Sequence, residues 1–255
     1  MDDLPRERVL WPSRFPRSAG YDPHWQFDNA MGPHPLWLLE SLADVMPIEA
    51  GSRVLDLGCG KAITSIFLAK EYGATVWAAD LWIEPTENLV RVRDAGVDDR
   101  VFPLKVEAHA VPFAEGFFDA IVSIDAYHYF GTDDLYLAYL SRFVKPGGRI
   151  GVVVPGLVGE LDEIPEHLLE LWEPDYYSFH SPAWWARHWR RSGVVDVVSA
   201  DLVPDGWEAW LRWDELGAQF LTGWRRDACE LFVAALRRDA GATLGLTRIV
   251  ATRRP

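Results

Sequence analysis

The 255-residue chain has only two cysteines, Cys59 and Cys229. That excludes a disulfide framework and makes a reducing cytoplasm the default compartment. Basic residues are scarce as well: 25 Lys and Arg stand against 38 Asp and Glu, a formal net charge of −13. A nucleic-acid partner is disfavoured, because phosphates demand a basic surface. Long apolar runs are missing. The longest, Ile150 to Gly159, is too short to span a bilayer and contains Pro155. The opening "MDDLPRERVLWP" lacks the basic-then-apolar pattern of a secretory signal. A soluble protein with no membrane partner is expected. There is no repeat, like-charge tract or low-complexity segment. The seven histidines show no His-x-x-x-His or histidine–carboxylate ligand spacing, so no metal is expected.

What the chain does have is core material and aromatics. Hydrophobic residues make up 49%, enough for a large core, and the length fits one α/β domain with additions or at most two small domains. Eight of the 13 tryptophans follow Leu171, which suggests an aromatic-lined region or a bulky core in the C-terminal third. Short apolar runs read as strands at Val54–Leu57, Thr75–Ala79, Val101–Val106, Phe118–Ser123 and Arg149–Val154. Helical patterns lie at Ile63–Tyr72, Glu84–Asp94 and Asp134–Phe143, the last with Thr132 as its cap. The "KPGGR" turn ends that helix and launches the next strand. In "SPAWWARHWRRSG", Ser181 caps a helix, Pro182 opens it and Gly193 stops it. A strand Val194–Val198, a helical region Trp207–Leu236 and a strand Thr247–Ala251 close the chain. This order predicts a doubly wound, mostly parallel sheet whose last strands can form an antiparallel edge hairpin.

Ligands of such sheets bind beyond the carboxyl ends of the strands, so the loop in "VLDLGCGKAI" is the first candidate. Gly58 and Gly60 permit a tight turn and close backbone approach. A dinucleotide fingerprint would need a third glycine where Ile63 stands. A triphosphate loop would need Ser or Thr after Lys61. Asp56, just before the turn, would repel a pyrophosphate but suits a ligand with an ammonium or sulfonium charge. Asp80 ends the next strand, where an acid accepts from both hydroxyls of a ribose. Glu107 ends the third. The three acids are expected to border one cleft for a cationic head, a ribose and an adenine edge.

"VLDLGCGKA", "VWAADLW", "VEAHAVPFAEGFFDAIVSIDAYHYF" and "FVKPGGRI" resemble, in order and spacing, the successive motifs of class I S-adenosylmethionine-dependent methyltransferases. The likeness is nearest to the ubiquinone-biosynthesis-like small-molecule group. It runs plainly from Leu36 to Pro155 and more loosely through the tail. It implies a Rossmann-like, seven-stranded sheet with a reversed last hairpin, S-adenosyl-L-methionine as cofactor and methyl transfer to a small-molecule acceptor. It also implies that Asp56, Gly58 and Gly60 line the methionine end, with Cys59 inside the motif, and that Asp80 holds the ribose. Leu81 would pack on the adenine, and Glu107 and Ala108 would read its edge, although the family more often has aspartate at the Glu107 position. Lys61 stands where a small hydroxyl residue is commoner. Gly32 and Asp125 complete the expected cofactor set.

Next to where the methyl group should lie comes "SIDAYHYFG", with Tyr127, His128 and Tyr129. His128 is the candidate general base, since an imidazole suits proton transfer near neutral pH; the alternative is a structural histidine bonded to a covering loop. Residues 1–35 read as an aromatic, proline-rich lid carrying Tyr21 and Trp25 toward substrate. Residues 36–255 read as the methyltransferase domain, with a covering insert at about 160–180 that brings His180 to the same wall. Two rivals stay open. One is an NAD-dependent oxidoreductase, disfavoured by Ile63 and Asp56; the other is a protein that binds the cofactor and transfers nothing.

Overall fold

A computed structural model describes residues 4–255. Seven strands form one sheet: β1 (Arg53–Leu57), β2 (Thr75–Asp80), β3 (Val101–Lys105), β4 (Phe118–Ile124), β5 (Val144–Leu157), β6 (Val195–Leu202) and β7 (Leu244–Arg253). Their order is β3-β2-β1-β4-β5-β7-β6. The first five are parallel, and β7 runs antiparallel between β5 and β6. The doubly wound sheet with its reversed edge hairpin is as expected.

The helices are α1 (Arg6–Val9), α2 (Pro23–Asn29), α3 (Pro35–Ala43), α4 (Ile63–Tyr72), α5 (Pro85–Asp94), α6 (Tyr136–Ser141), α7 (Pro182–Ser192), α8 (Gly206–Phe220) and α9 (Trp224–Asp239). The buried faces of β1, β4 and β5 separate two apolar layers. Leu36, Leu39 and Phe67 lie in one; Phe118, Tyr136, Trp185 and Trp189 lie in the other. A satellite cluster of Phe15, Phe27, Trp37 and Trp213 ties the N-terminal segment to α8.

Local chemistry accounts for the boundaries. The Ser181 side chain accepts from Trp184 N–H, Pro182 occupies the first turn of α7, and Gly193 ends it at φ 71°, all as the sequence predicts. Three details differ. The "KPGGR" segment belongs to β5, where a register shift against β4 between Phe118 and Ala120 absorbs it. Thr132 caps nothing: α6 starts at Tyr136 after Leu135, whose N–H is taken by Asp133 Oδ1 at 2.7 Å. The single helical region expected at Trp207–Leu236 is broken into α8 and α9 at Gly223, whose φ 61° and ψ −153° are accessible essentially to glycine alone.

Candidate functional site

The loops after β1 and β4 leave the sheet where strand order reverses, and a crevice opens between them. They touch at their bases. Gly58 has φ +77°, and a Cβ there would lie 2.3 Å from Ala126 Cβ, so this crossing needs a glycine. Above it lies a cavity of about 620 Å³. Gly32, Gly58, Cys59, Gly60, Asp80, Leu81, Glu107, Ala108, Asp125, His128 and Tyr129 all line it.

Asp80 organises the end of the cavity at the glycine loop. Its Oδ2 accepts from Gly60 N–H at 2.8 Å, and its Oδ1 accepts from the N–H groups of Trp82 and Ile83 at 2.8 and 2.9 Å. One carboxylate thus fixes both the glycine loop and the turn that presents the exposed, apolar Leu81. Asn88 Nδ2 donates to Gly60 O at 2.8 Å and holds the loop from α5. Glu107 is turned to its neighbour, accepting from His109 N–H at 2.9 Å and pairing with His109 Nδ1 at 2.8 Å. The histidine's hydrogen bond holds the Glu107 carboxyl below its ordinary value. Burial, with Asp56 and Asp80 nearby, drives the Cys59 thiol up, leaving it inert.

Asp56 corrects an expectation. It is fully buried and off the cavity wall. Thr64 Oγ1 and Ser65 Oγ each donate to its Oδ2 at 2.6 Å. It therefore staples the first turn of α4 to β1 instead of facing a cationic head, and burial raises it to about 6. Four expected substrate residues are off the wall too. Tyr21 donates to Glu71 Oε1 at 2.8 Å and packs on Phe67, with Trp25 stacked on it. Tyr127 is sealed among Tyr136, Trp185 and Trp189. His180 stacks on Trp184 at 3.6 Å and pairs with Glu160 at 2.9 Å. Of residues 1–35, expected to form a lid, Phe27, residues 29–33 and Pro35 border the cavity.

The far wall comes from elements the sequence reading left undivided. Trp210, Trp213, Asp214 and Gly217 put one face of α8 on the cavity; Arg225, Ala228, Cys229 and Phe232 do the same for α9. Gly217 lets the two helices meet, since a Cβ there would lie 2.4 Å from Cys229 Sγ. The signal was a helical stripe at 210, 213 and 217 with an acid set in it. His128 sits on the wall nearly fully buried, edge-on to Phe179 at 5.5 Å. Its Nδ1 has no hydrogen-bond partner, and burial lowers it to about 3, so the imidazole is neutral. Asp125, at φ 57°, packs so closely on Gly32 that a Cβ there would lie 1.8 Å from its Oδ2. Burial, reinforced by Asp214, pushes Asp125 well up. Among the described residues, no cluster of three or more His, Cys, Asp or Glu could hold a metal. No described helix is long and apolar enough to cross a membrane.

Sheet order and the glycine loop after β1 together define a class I methyltransferase fold. Residues 54–148 match the methyltransferase-domain family. It is 31% identical over 134 residues to the methyltransferase GfsG of Streptomyces halstedii, covering 52% of this chain and 48% of that protein. It is 29% identical over 206 residues to a 2-methyl-6-phytyl-1,4-hydroquinone methyltransferase of a Synechocystis species, covering 76% and 62%. The chain thus spans about half to two thirds of the length of these relatives. A Haemonchus contortus phosphoethanolamine N-methyltransferase 2, solved with S-adenosyl-L-methionine, superposes with a TM-score of 0.73 at 21% identity, covering 99% of this chain and 60% of that one. The [4+2]-cyclase SpnF superposes at 0.68 and 18% identity, covering 89% and 84%. The fold alone therefore does not fix the reaction.

Proposed function

We propose that the protein transfers a methyl group from S-adenosyl-L-methionine to a small-molecule acceptor. The observation that carries this reading is one cavity that joins the glycine loop and Asp80 at one end to His128 and an aromatic-walled space at the other. The residues present fit the cofactor. Asp80 keeps acceptor capacity on Oδ2 for a ribose diol, since that oxygen takes one hydrogen bond and has two lone pairs. Leu81 offers an exposed apolar face for a base, and Glu107 with Ala108 borders it. Ile63, where a dinucleotide loop needs its third glycine, starts α4 and is buried, which disfavours the oxidoreductase alternative.

When bound, the cofactor supplies a methyl group activated by its sulfonium charge. The chain's own task is to align the acceptor and exclude water. His128, neutral and unpartnered at Nδ1, is suited to accept a hydrogen bond from the acceptor's nucleophile and take up its proton. A value near 3 makes it a weak base, so its contribution leans on orientation. The segment 27–33 acts as the lid. Lys61 Nζ donates to Asp28 O at 2.7 Å and Arg225 Nη2 to Ala30 O at 3.3 Å, and both bonds hold it shut. The free cysteines, Cys59 and Cys229, suit a reducing cytoplasm.

The test is binding followed by transfer. S-adenosylhomocysteine should raise the melting temperature where NAD does not, and labelled S-adenosylmethionine should pass its methyl group to a member of an acceptor panel. Stabilisation by NAD alone overturns the reading. Cofactor binding with no transfer across the panel favours the binding-only alternative.

A further inference from the structure

Asp214 has no task in the reaction described above, yet it is a buried acid on the cavity wall. It lies on the cavity face of α8, between Trp210 and Gly217, and is 6% exposed. Its Oδ2 has no hydrogen-bond partner. Its Oδ1 has a thiol, Cys229 Sγ, at 3.8 Å, a weak donor at long range. Among the described residues neither Asp214 nor Asp125 forms an ion pair, and the two cations that line this cavity, Lys61 and Arg225, are directed to Asp28 O and Ala30 O. The Trp210 side chain also bears on the carboxyl, but a buried carboxyl with one oxygen left unpartnered is destabilising, and proteins keep such groups mainly where a ligand completes them. The rings around it face the same space. Trp210 packs on Phe232 at 5.0 Å, Phe232 on Tyr176 at 5.7 Å, and Tyr176 stacks on Phe179 at 4.8 Å. Aromatic faces attract cations, and a cation entering beside Asp214 draws off the proton that burial keeps on it, so that the carboxylate neutralises the ligand, whereas an anionic ligand would meet two acids here.

We propose that the acceptor end of the cavity binds a small organic cation, an ammonium group carried on an apolar body, with Asp214 as its counter-ion and the Trp210–Phe232–Tyr176 rings as its walls. This rests on the methyltransferase reading only in calling the ligand the acceptor. The assignment concerns recognition: an ammonium nitrogen that keeps its proton is not a nucleophile, so it anchors the molecule while another atom is presented to His128.

The experiment compares phenyltrimethylammonium with its uncharged isostere tert-butylbenzene, by tryptophan fluorescence on the full chain, with and without saturating S-adenosylhomocysteine. The wild type should bind the cation at least about tenfold more tightly. Asp214→Asn should lose that preference while binding tert-butylbenzene as before. Equal affinity of the wild type for the two probes overturns the proposal, as does an Asp214→Asn protein that keeps the preference. Should that variant not fold, the wild-type comparison decides alone, and Trp210→Leu should weaken the cation more than the isostere. Failure to bind S-adenosylhomocysteine would overturn the methyltransferase reading separately, because the probes are also measured without it.

Discussion

Replacing Asp214 by Asn should make the protein more stable near neutral pH, an unusual outcome for a buried polar substitution. Burial lifts the Asp214 carboxyl from 3.8 to about 8. Between those values the unfolded chain has lost this proton and the folded chain has kept it, so folding opposes ionisation. Each pH unit in that window removes about 1.4 kcal/mol of stability, roughly 4 kcal/mol in all by pH 7. Asparagine carries no such proton and escapes the loss. It leaves an amide in place of the unpartnered Oδ2, which costs roughly 1–3 kcal/mol. The net gain at pH 7 is then on the order of 1–3 kcal/mol, or several degrees in melting temperature for a chain of this size. Melting both proteins from pH 4 to 8.5 and subtracting the curves reports Asp214 together with its coupling to Asp125 and Cys229, since the groups that do not feel Asp214 cancel. The difference should rise with pH toward 8 and vanish or reverse near pH 4. A flat difference, or a variant less stable than wild type at pH 8, would refute the reasoning.

Four further outcomes are expected. Asp80→Ala should abolish most of the stabilisation by S-adenosylhomocysteine, about 2.7 kcal/mol at 100 times its dissociation constant; calorimetric melts with and without ligand measure it. His128→Ala should slow turnover about 100-fold with cofactor affinity little changed, and turnover above a tenth of wild type would exclude the base. His34, stacked on Trp37 at 4.2 Å, is held like His128 to about 3 by burial. Below 6.5 the unfolded chain gains protons that these imidazoles cannot take, so stability should fall with acid by about 2 kcal/mol for each at pH 5, and His34→Phe should flatten urea titrations in that range. Limited proteolysis near Asn29–Gly32 should slow when S-adenosylhomocysteine is present, and equal cutting would make the segment a fixed wall.

The sheet was legible because alternation of apolar runs and helical patterns depends on local period, and so was the glycine loop. The departures are all matters of what meets what. Asp56 precedes a glycine turn, which suggests a ligand contact. Nothing local announces that Thr64 and Ser65 fold back beneath it and take its oxygen. Tyr127 and His128 are neighbours in one short 3-10 turn, Tyr127–Tyr129. Consecutive side chains there diverge, one into the core around Trp189 and one to the cavity, and only the packing decides which. The wall residues of α8 were visible as a stripe, but a buried acid within it has meaning only once α9 closes over it.

The α8–α9 hairpin leaves the sheet at the end of β6 and re-enters at β7, so almost the whole far wall is one uninterrupted stretch of chain. The cofactor half, by contrast, is assembled from turns that follow β1, β2, β3 and β4. A mutation, insertion or graft between residues 205 and 240 can therefore remodel what is accepted without altering any turn that Asp80 fixes. Two limits apply: Gly217 against Cys229 must keep its close seam, and Arg212 must keep its hold on the carbonyls of Glu7, Arg8 and Leu10. Under the proposed function this stretch is a cassette for acceptor choice, and transplanting it into a protein of the same sheet order tests whether the choice of substrate travels with it.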